Sequence, residues 1–287
     1  MSALLAPIAA AFRASCRDEL NAPKPGNVHN FSPGHRMTAV EFVRSADAAA
    51  LPLSQPGARV GRRILDAVDA TFAAVGTNTN LGIILLCTPL AAAAENVRAD
   101  LRTALRRVLG DLDVEDASLA FRAIARAAPA GLGRAKRHDV FAPAAISLRE
   151  AMAEAAGYDR IARQYVSAFA DVFELGLPEL QARQSSGFEH SWATLAVYVA
   201  FLSAFPDSHI VRKHGIAAAE TTCRVAQSFK ERIQTPSSSP QLLKDLLAWD
   251  ASLKAAGINP GTSADLTVAT LFAHRLQSIL PSLNNNA

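Results

Sequence analysis

Only three cysteines occur in 287 residues, Cys16, Cys87 and Cys223, far apart and odd in number. No CxxC pair or Cys/His zinc spacing accompanies them, which argues against a disulfide framework or a structural zinc and predicts a reduced, cytoplasmic protein. Aromatic residues make up 6% of the chain and charged residues 19%, the latter below the usual ~25%. No run of five like charges exists, and the net charge is only +3. Neither a nucleic-acid nor a membrane partner is therefore implied, while small anionic substrates such as phosphate esters stay compatible. The apolar runs are short. Leu81–Ala94 covers 14 residues, against the ~20 that a membrane span needs. It predicts a helix buried on every side, with Pro89 as a point of kinking. Met1–Ala14 is apolar but has no positive n-region, and Arg13 and Arg17 interrupt any cleavage pattern, so no signal peptide is expected.

What is present is Ala, Leu and Arg at helical spacing, with 50% hydrophobic residues overall. Helices are predicted over 2–20, 38–50, 60–75, 81–94, 97–109, 116–127, 145–156, 159–175, 190–204, 209–234, 240–255 and 263–280. Thr38 and Glu41 have capping-box spacing. No persuasive strand pair and no fixed-period repeat appears. The reading is all-α: one compact domain over residues 1–280, with a polar tail over 281–287 that begins where Pro281 stops the last helix. The TPSSSP stretch at 235–240 reads as a polar turn, not a domain boundary.

Five polar or glycine-rich clusters punctuate the helices, where a helical protein normally builds its site. PKPGNVH (23–29, extending to Pro33–Arg36) places Lys24 and His29 around a Pro-Gly turn whose amides suit an anion, or is an ordinary loop. GTNTN (76–80) precedes the most apolar helix; its Thr and Asn side chains suit capping, and the helix start suits a phosphate. GLGRAKRHD (131–139) gathers Arg134, Lys136, Arg137, His138 and Asp139. PDSHIVRKHG (206–215) gathers Asp207, His209, Arg212, Lys213 and His214. Each of these basic clusters reads as a phosphate clamp or as a solvated turn. NPGTSAD (259–265) opens the last helix with Asp265, as a cap or a Mg²⁺ ligand. No P-loop, GxGxxG fingerprint, HExxH or GxSxG elbow occurs.

In this order the clusters resemble the triphosphoribosyl-dephospho-CoA synthase family over residues 15–275 or so. PKPGNVH resembles its KPGxV signature, and GTNTNLGIILL its NTHxG-type signature. PDSHIVRKHG is similar to its D[TS]N-to-RGG segment, and PGTSADLTVATLF to its closing PGxxADL stretch. The resemblance implies an all-α fold and an enzyme that moves the 5-triphosphoribosyl group of ATP to the ribose 2′-hydroxyl of 3′-dephospho-CoA, releasing adenine. It carries over Lys24, Gly26, Asn78, Thr79, Gly82, Asp207 and Asp265. The motifs also depart from the pattern: Asn27 and His29 stand where the family reads KPGLVD, so His29 replaces an acid, Asn80 replaces the histidine of NTH, Leu81 the lysine that often follows, and Lys213–His214–Gly215 replaces RGG. The NTNLG version is similar to an archaeal and methylotroph-type branch, which raises phosphoribosyl transfer in tetrahydromethanopterin biosynthesis, with phosphoribosyl pyrophosphate as donor, as an alternative. A non-catalytic nucleotide-binding helical protein is another.

Displacement at an anomeric carbon passes through an oxocarbenium-like state and needs a base, a stabilised leaving group and cations on the phosphates. Asp139 or Asp207 is expected as base or metal ligand, with Asp265 as a further Mg²⁺ ligand and His29 and His138 as alternative bases. Lys24, Arg134, Arg212 and Lys213 are expected to hold phosphates. Asn27, Thr77, Asn78 and Asn80 would orient hydroxyls or phosphate oxygens, with Gly26, Gly76, Thr79, Gly82 and His209 beside them. The expected partners are a nucleotide donor carrying Mg²⁺ and a hydroxyl acceptor; the composition permits a homodimer without arguing for one.

Overall fold

The computed structural model describes residues 5–32, 38–95, 100–129, 131–135, 137–234 and 239–284, with the backbone alone at 281–284. Among these residues it holds only helices, joined by turns and loops, plus one isolated bridge between His29 and Ser32. The helices are α1 (Leu5–Leu20), α2 (Ala39–Leu53), α3 (Val60–Val75), α4 (Leu81–Ala94), α5 (Leu101–Gly110), α6 (Val114–Ala127), α7 (Leu148–Ala155) and α8 (Arg160–Ser167). A π-helical turn (Asp171–Gly176) leads into α9 (Leu177–Ser185). Then come α10 (His190–Ala204), α11 (Ser208–His214), α12 (Ile216–Arg232), α13 (Pro240–Ala255) and α14 (Gly261–Asn284). The fold is all-α, as expected. The chain gathers into two compact units, one of Met1–Ser15, Glu41–Phe169 and Phe272–Ala287, the other of Cys16–Val40 and Ala170–Leu271. Three of the four divisions fall inside α1, α2 and α14, and the fourth falls between α8 and the π-helical turn.

In the first unit α3 packs on α6, α4 on α5, and α7 on α8. Short polar residues start the helices. Asp113 and Asp116 form a reciprocal capping box at α6, Ser147 and Glu150 another at α7, and Asp159 caps α8. Asp116 also accepts the Gly61 amide at 2.8 Å, and a Cβ on Gly61 would stand 2.5 Å from the Asp116 carbonyl oxygen. Only glycine lets α3 approach α6 that closely. Arg63 is buried as a bidentate partner of Glu95, at 2.5 and 3.0 Å.

Helix α4 is buried on almost every side and runs unbroken through Pro89. Pro89 has no N–H for the carbonyl of Leu85, four residues back. The buried Tyr165 hydroxyl donates to that carbonyl instead, at 2.7 Å. Burial raises the Tyr165 pKa, so the phenol stays a donor. Tyr165→Phe is expected to cost about 1–3 kcal/mol in urea unfolding, because the Leu85 carbonyl then has no partner. Pro89→Ala in that background should recover much of the loss by supplying the missing N–H. Strictly additive effects of the two changes would refute the pairing.

Four sequence expectations change. The stretch predicted as one helix over 159–175 breaks at Ala168 and Phe169, which adopt left-handed backbone with φ of 50° and 57°. The π-helical turn follows, then α9, which the sequence reading left out. There Gly176 faces Thr270 and Phe201 so closely that a Cβ would overlap both. The predicted helix over 209–234 is likewise two, because Gly215 turns out of helical backbone at φ 82°, ψ 169°. Pro281 does not stop the last helix, which reaches Asn284; near a helix end the proline forfeits a single bond. Most of the TPSSSP turn and residues 285–287 of the tail lie outside the described residues, as do Pro33–Arg36, Lys136 and the starts predicted at 2 and 97. Among the described residues no single helix is long and apolar enough to cross a membrane.

Candidate functional site

In the second unit three of the five clusters meet. The chain leaves α1 and folds through the first, residues 21–32. Tyr198 of the buried α10 donates to the Pro25 carbonyl at 2.7 Å. Gly26 follows with φ +82°, and a Cβ there would stand 2.8 Å from Pro260 and 2.9 Å from Leu253. Its amide, expected to cradle an anion, donates at 2.9 Å to the protein's own Asp250. Lys24 is also turned inward. It is fully buried, ion-paired with Glu19, and it donates to Asn27 Oδ1 at 3.1 Å and the Val28 carbonyl at 2.8 Å. All three ammonium protons are thus directed at protein acceptors, not at a phosphate. Burial pushes the Glu19 carboxyl up against the pull of Lys24, and pushes Lys24 down against the pull of Glu19.

His29 is buried between two elements. Its Nδ1 accepts the Phe31 amide at 3.2 Å, so the neutral ring carries its proton on Nε2, 3.4 Å from Asp250 Oδ2. Burial lowers its pKa, partly offset by Asp250. With both nitrogens engaged, the ring is poorly placed to take a proton from substrate. Burial pushes Asp250 up, but hydrogen bonds from His29, Lys254 and the Gly26 amide outweigh it and hold the carboxyl below its usual range.

Asp207 is fully buried where the fourth and fifth clusters touch. One oxygen accepts the His209 and Ile210 amides at 2.9 and 3.2 Å, capping α11. The other accepts the amide and hydroxyl of Ser263, both at 2.8 Å, in the first turn of α14. A single carboxylate therefore stands at two helix starts, as a cap and not as the base or metal ligand that the sequence suggested. Burial pushes its pKa up against these four bonds. The first and fifth clusters join through Asn27 Nδ2, which donates to Asn259 Oδ1 at 2.8 Å. The groups nearer the surface of this unit are His209, Arg212 and Asp265, all half-buried, and Lys213, exposed.

The second and third clusters belong to the first unit. Gly76 ends α3 at φ 74°. Asn78 Oδ1 accepts the Leu81 amide at 3.2 Å and so starts α4, with Gly82 in its first turn. Thr79 donates to Ser45 at 2.6 Å, and Thr71 donates to Asn80 Oδ1 at 3.1 Å. The Asn80 Nδ2 is buried with no partner among the described residues. Thr77 and Asn78 line an open cleft of about 280 Å³ with Phe72 and Arg126. In the third cluster Asp139 closes its own loop, accepting the Ala135 and Phe141 amides at 2.6 and 2.8 Å, with Arg134 at 3.4 Å. Those amide bonds and the nearby guanidinium hold the Asp139 carboxyl below its usual range. His138 takes left-handed backbone at φ 49°.

Sequence reading passed over Glu19, Tyr198, Asp250 and Lys254, and assigned no role to Asn259 within the fifth cluster. Asp250 and Lys254 sit four apart on α13, a spacing that usually marks an exposed ion pair. Among the described residues no group of three His, Cys, Asp or Glu side chains assembles that could hold a metal. Asp207 does not fit a resident ion, since both of its oxygens are engaged by protein donors.

The family model for ATP:dephospho-CoA triphosphoribosyl transferase matches residues 5–282. The chain belongs to that family. A crystal structure from Archaeoglobus fulgidus, described as a candidate triphosphoribosyl-dephospho-CoA synthase, is similar at 27% identity and a TM-score of 0.63. The match covers 80% of this chain and 95% of that one. No functionally curated protein matches significantly. As a member of the triphosphoribosyl transferase family, the chain is a transferase whose small-molecule substrates are ATP and dephospho-CoA. The tetrahydromethanopterin and non-catalytic readings are not favoured.

Proposed function

We propose that the site of this transferase is built around the second unit's junction of the first, fourth and fifth clusters. The observation that carries the reading is that junction: residues 24–29, 207–213 and 259–265, separated by up to 232 positions, are joined by direct hydrogen bonds.

Asp207 and Lys24 act in this reading as buried anchors. Arg212, Lys213 and His209 are the basic groups near the surface, suited to the triphosphate of the donor. Asp265 is the half-buried carboxylate of this unit's clusters and is the base that takes the proton of the acceptor hydroxyl. The oxygen so activated attacks C1 of the ATP ribose, the C1–N bond to adenine breaks, and adenine leaves with its electron pair and a proton. Magnesium travels with the triphosphate as part of the substrate. A reduced, cytoplasmic setting suits three free cysteines and an ATP-dependent reaction.

Incubation with MgATP and 3′-dephospho-CoA should release free adenine and yield a triphosphoribosylated product, read by mass spectrometry. Asp265→Asn should lower that rate at least ~10²-fold in a variant that remains folded. Full turnover in Asp265→Asn would remove it from the reaction.

A further inference from the structure

Helix α13 carries none of the motifs, yet it holds the first of them in place. Asp250, 2% exposed, accepts the Gly26 amide and Lys254 Nζ, each at 2.9 Å, with His29 Nε2 at 3.4 Å. Lys254 extends the tether to the Ser32 carbonyl at 3.1 Å. Three points along residues 26–32 are therefore attached to one carboxylate and its neighbouring ammonium. Leu253 closes the same contact by packing against Gly26. The segment so held carries Lys24 and Asn27, and Asn27 is the residue that reaches Asn259 in the fifth cluster. The charges have a logic as well. Lys24 and Lys254 disfavour one another, and Glu19 and Asp250 are the anions paired with each.

We propose that Asp250, acting with Lys254, is a positioning residue for the transfer, setting the geometry of residues 24–32 and of the Asn27–Asn259 junction without itself touching substrate. The inference rests on the transferase reading above. A carboxylate suits this role because it alone accepts from a backbone amide, an imidazole and an ammonium at once. Asparagine at 250 keeps the shape and one acceptor but turns a donor toward the Lys254 ammonium.

Asp250→Asn is expected to lower kcat about 10²-fold with the KM for ATP nearly unchanged, the size of effect that follows a displacement near 1 Å. Hydrogen exchange at the amides of residues 24–32 should quicken in the same variant. Asp250→Asn/Lys254→Met, which removes the stranded ammonium too, should recover part of the lost kcat. Lys244→Ala, exposed on the same helix, should change neither readout. If Asp250→Asn does not fold, Lys254→Met alone serves: it leaves the Gly26 bond and should show about a 10-fold fall in kcat with faster exchange near Ser32. Wild-type kcat or unaltered exchange in the folded variant overturns the positioning role. A wild type that releases no adenine overturns the transferase reading with it, and the exchange data tell the two failures apart.

Discussion

Replacing Lys24 with methionine is expected to cost the folded protein about 3–5 kcal/mol, the range for removing one partner of a buried ion pair. The Lys24 side chain is wholly buried and Glu19 nearly so. Without the ammonium, Glu19 is a carboxylate in a dry interior, and Asn27 Oδ1 and the Val28 carbonyl lose their donor. The cost comes from those stranded groups more than from the lost attraction. Replacing both members, Glu19→Leu with Lys24→Met, should therefore return most of the stability, because apolar side chains of similar volume need no partner. Urea unfolding of the wild type, the single and the double variant measures this directly. A loss below ~1 kcal/mol in Lys24→Met would show that the pair does not anchor the loop. Turnover of a stable double variant then separates two roles for Lys24. Near-normal adenine release would assign it to the fold, and silence would assign it to the reaction as well.

Asp207→Asn is the second large effect, expected at about 2–4 kcal/mol. Each carboxylate oxygen accepts two hydrogen bonds, one pair from α11 and one from the first turn of α14. An asparagine offers one oxygen and one NH₂. Whichever way it turns, at least one backbone amide meets another donor in a buried place. With the NH₂ toward α14, the Ser263 hydroxyl can rotate to accept, but the Ser263 amide cannot. Ser263→Ala, which deletes one hydroxyl donor and leaves three bonds, should cost only about 1 kcal/mol. Denaturation midpoints of the two variants decide the matter. Equal, small losses would mean that the carboxylate does not join the two helix starts. Turnover in Asp207→Asn is expected to fall with the fold, since α11 carries Arg212 and Lys213 beside it.

The all-α class was legible because periodicity is a local property. Val60–Val75, Leu81–Ala94, His190–Ala204 and Pro240–Ala255 have the bounds that residue spacing and end signals predict. Breaks decided by backbone conformation were harder. Gly215 marked one break by residue type, but Ala168 and Phe169 carry no such mark and take left-handed backbone where the chain turns into the π-helical segment. α9 was hidden for a related reason: the wide turn before it shifts the apolar spacing that would have announced it.

The clusters, too, were visible as composition, and their order was enough to point to the family. What each polar atom does was not visible. Lys24 reads on paper as a phosphate clamp, and the fold turns it inward to Glu19. Asp250 and Lys254 carry no signal beyond their four-residue spacing, yet they are the tether of a motif more than two hundred residues away. By itself, then, the sequence determined the all-α class, the bounds of the most periodic helices and the family, because these rest on neighbours in the chain. Only the tertiary structure decided which charges are buried and what each one holds, because burial and pairing depend on residues brought together from distant parts of the sequence.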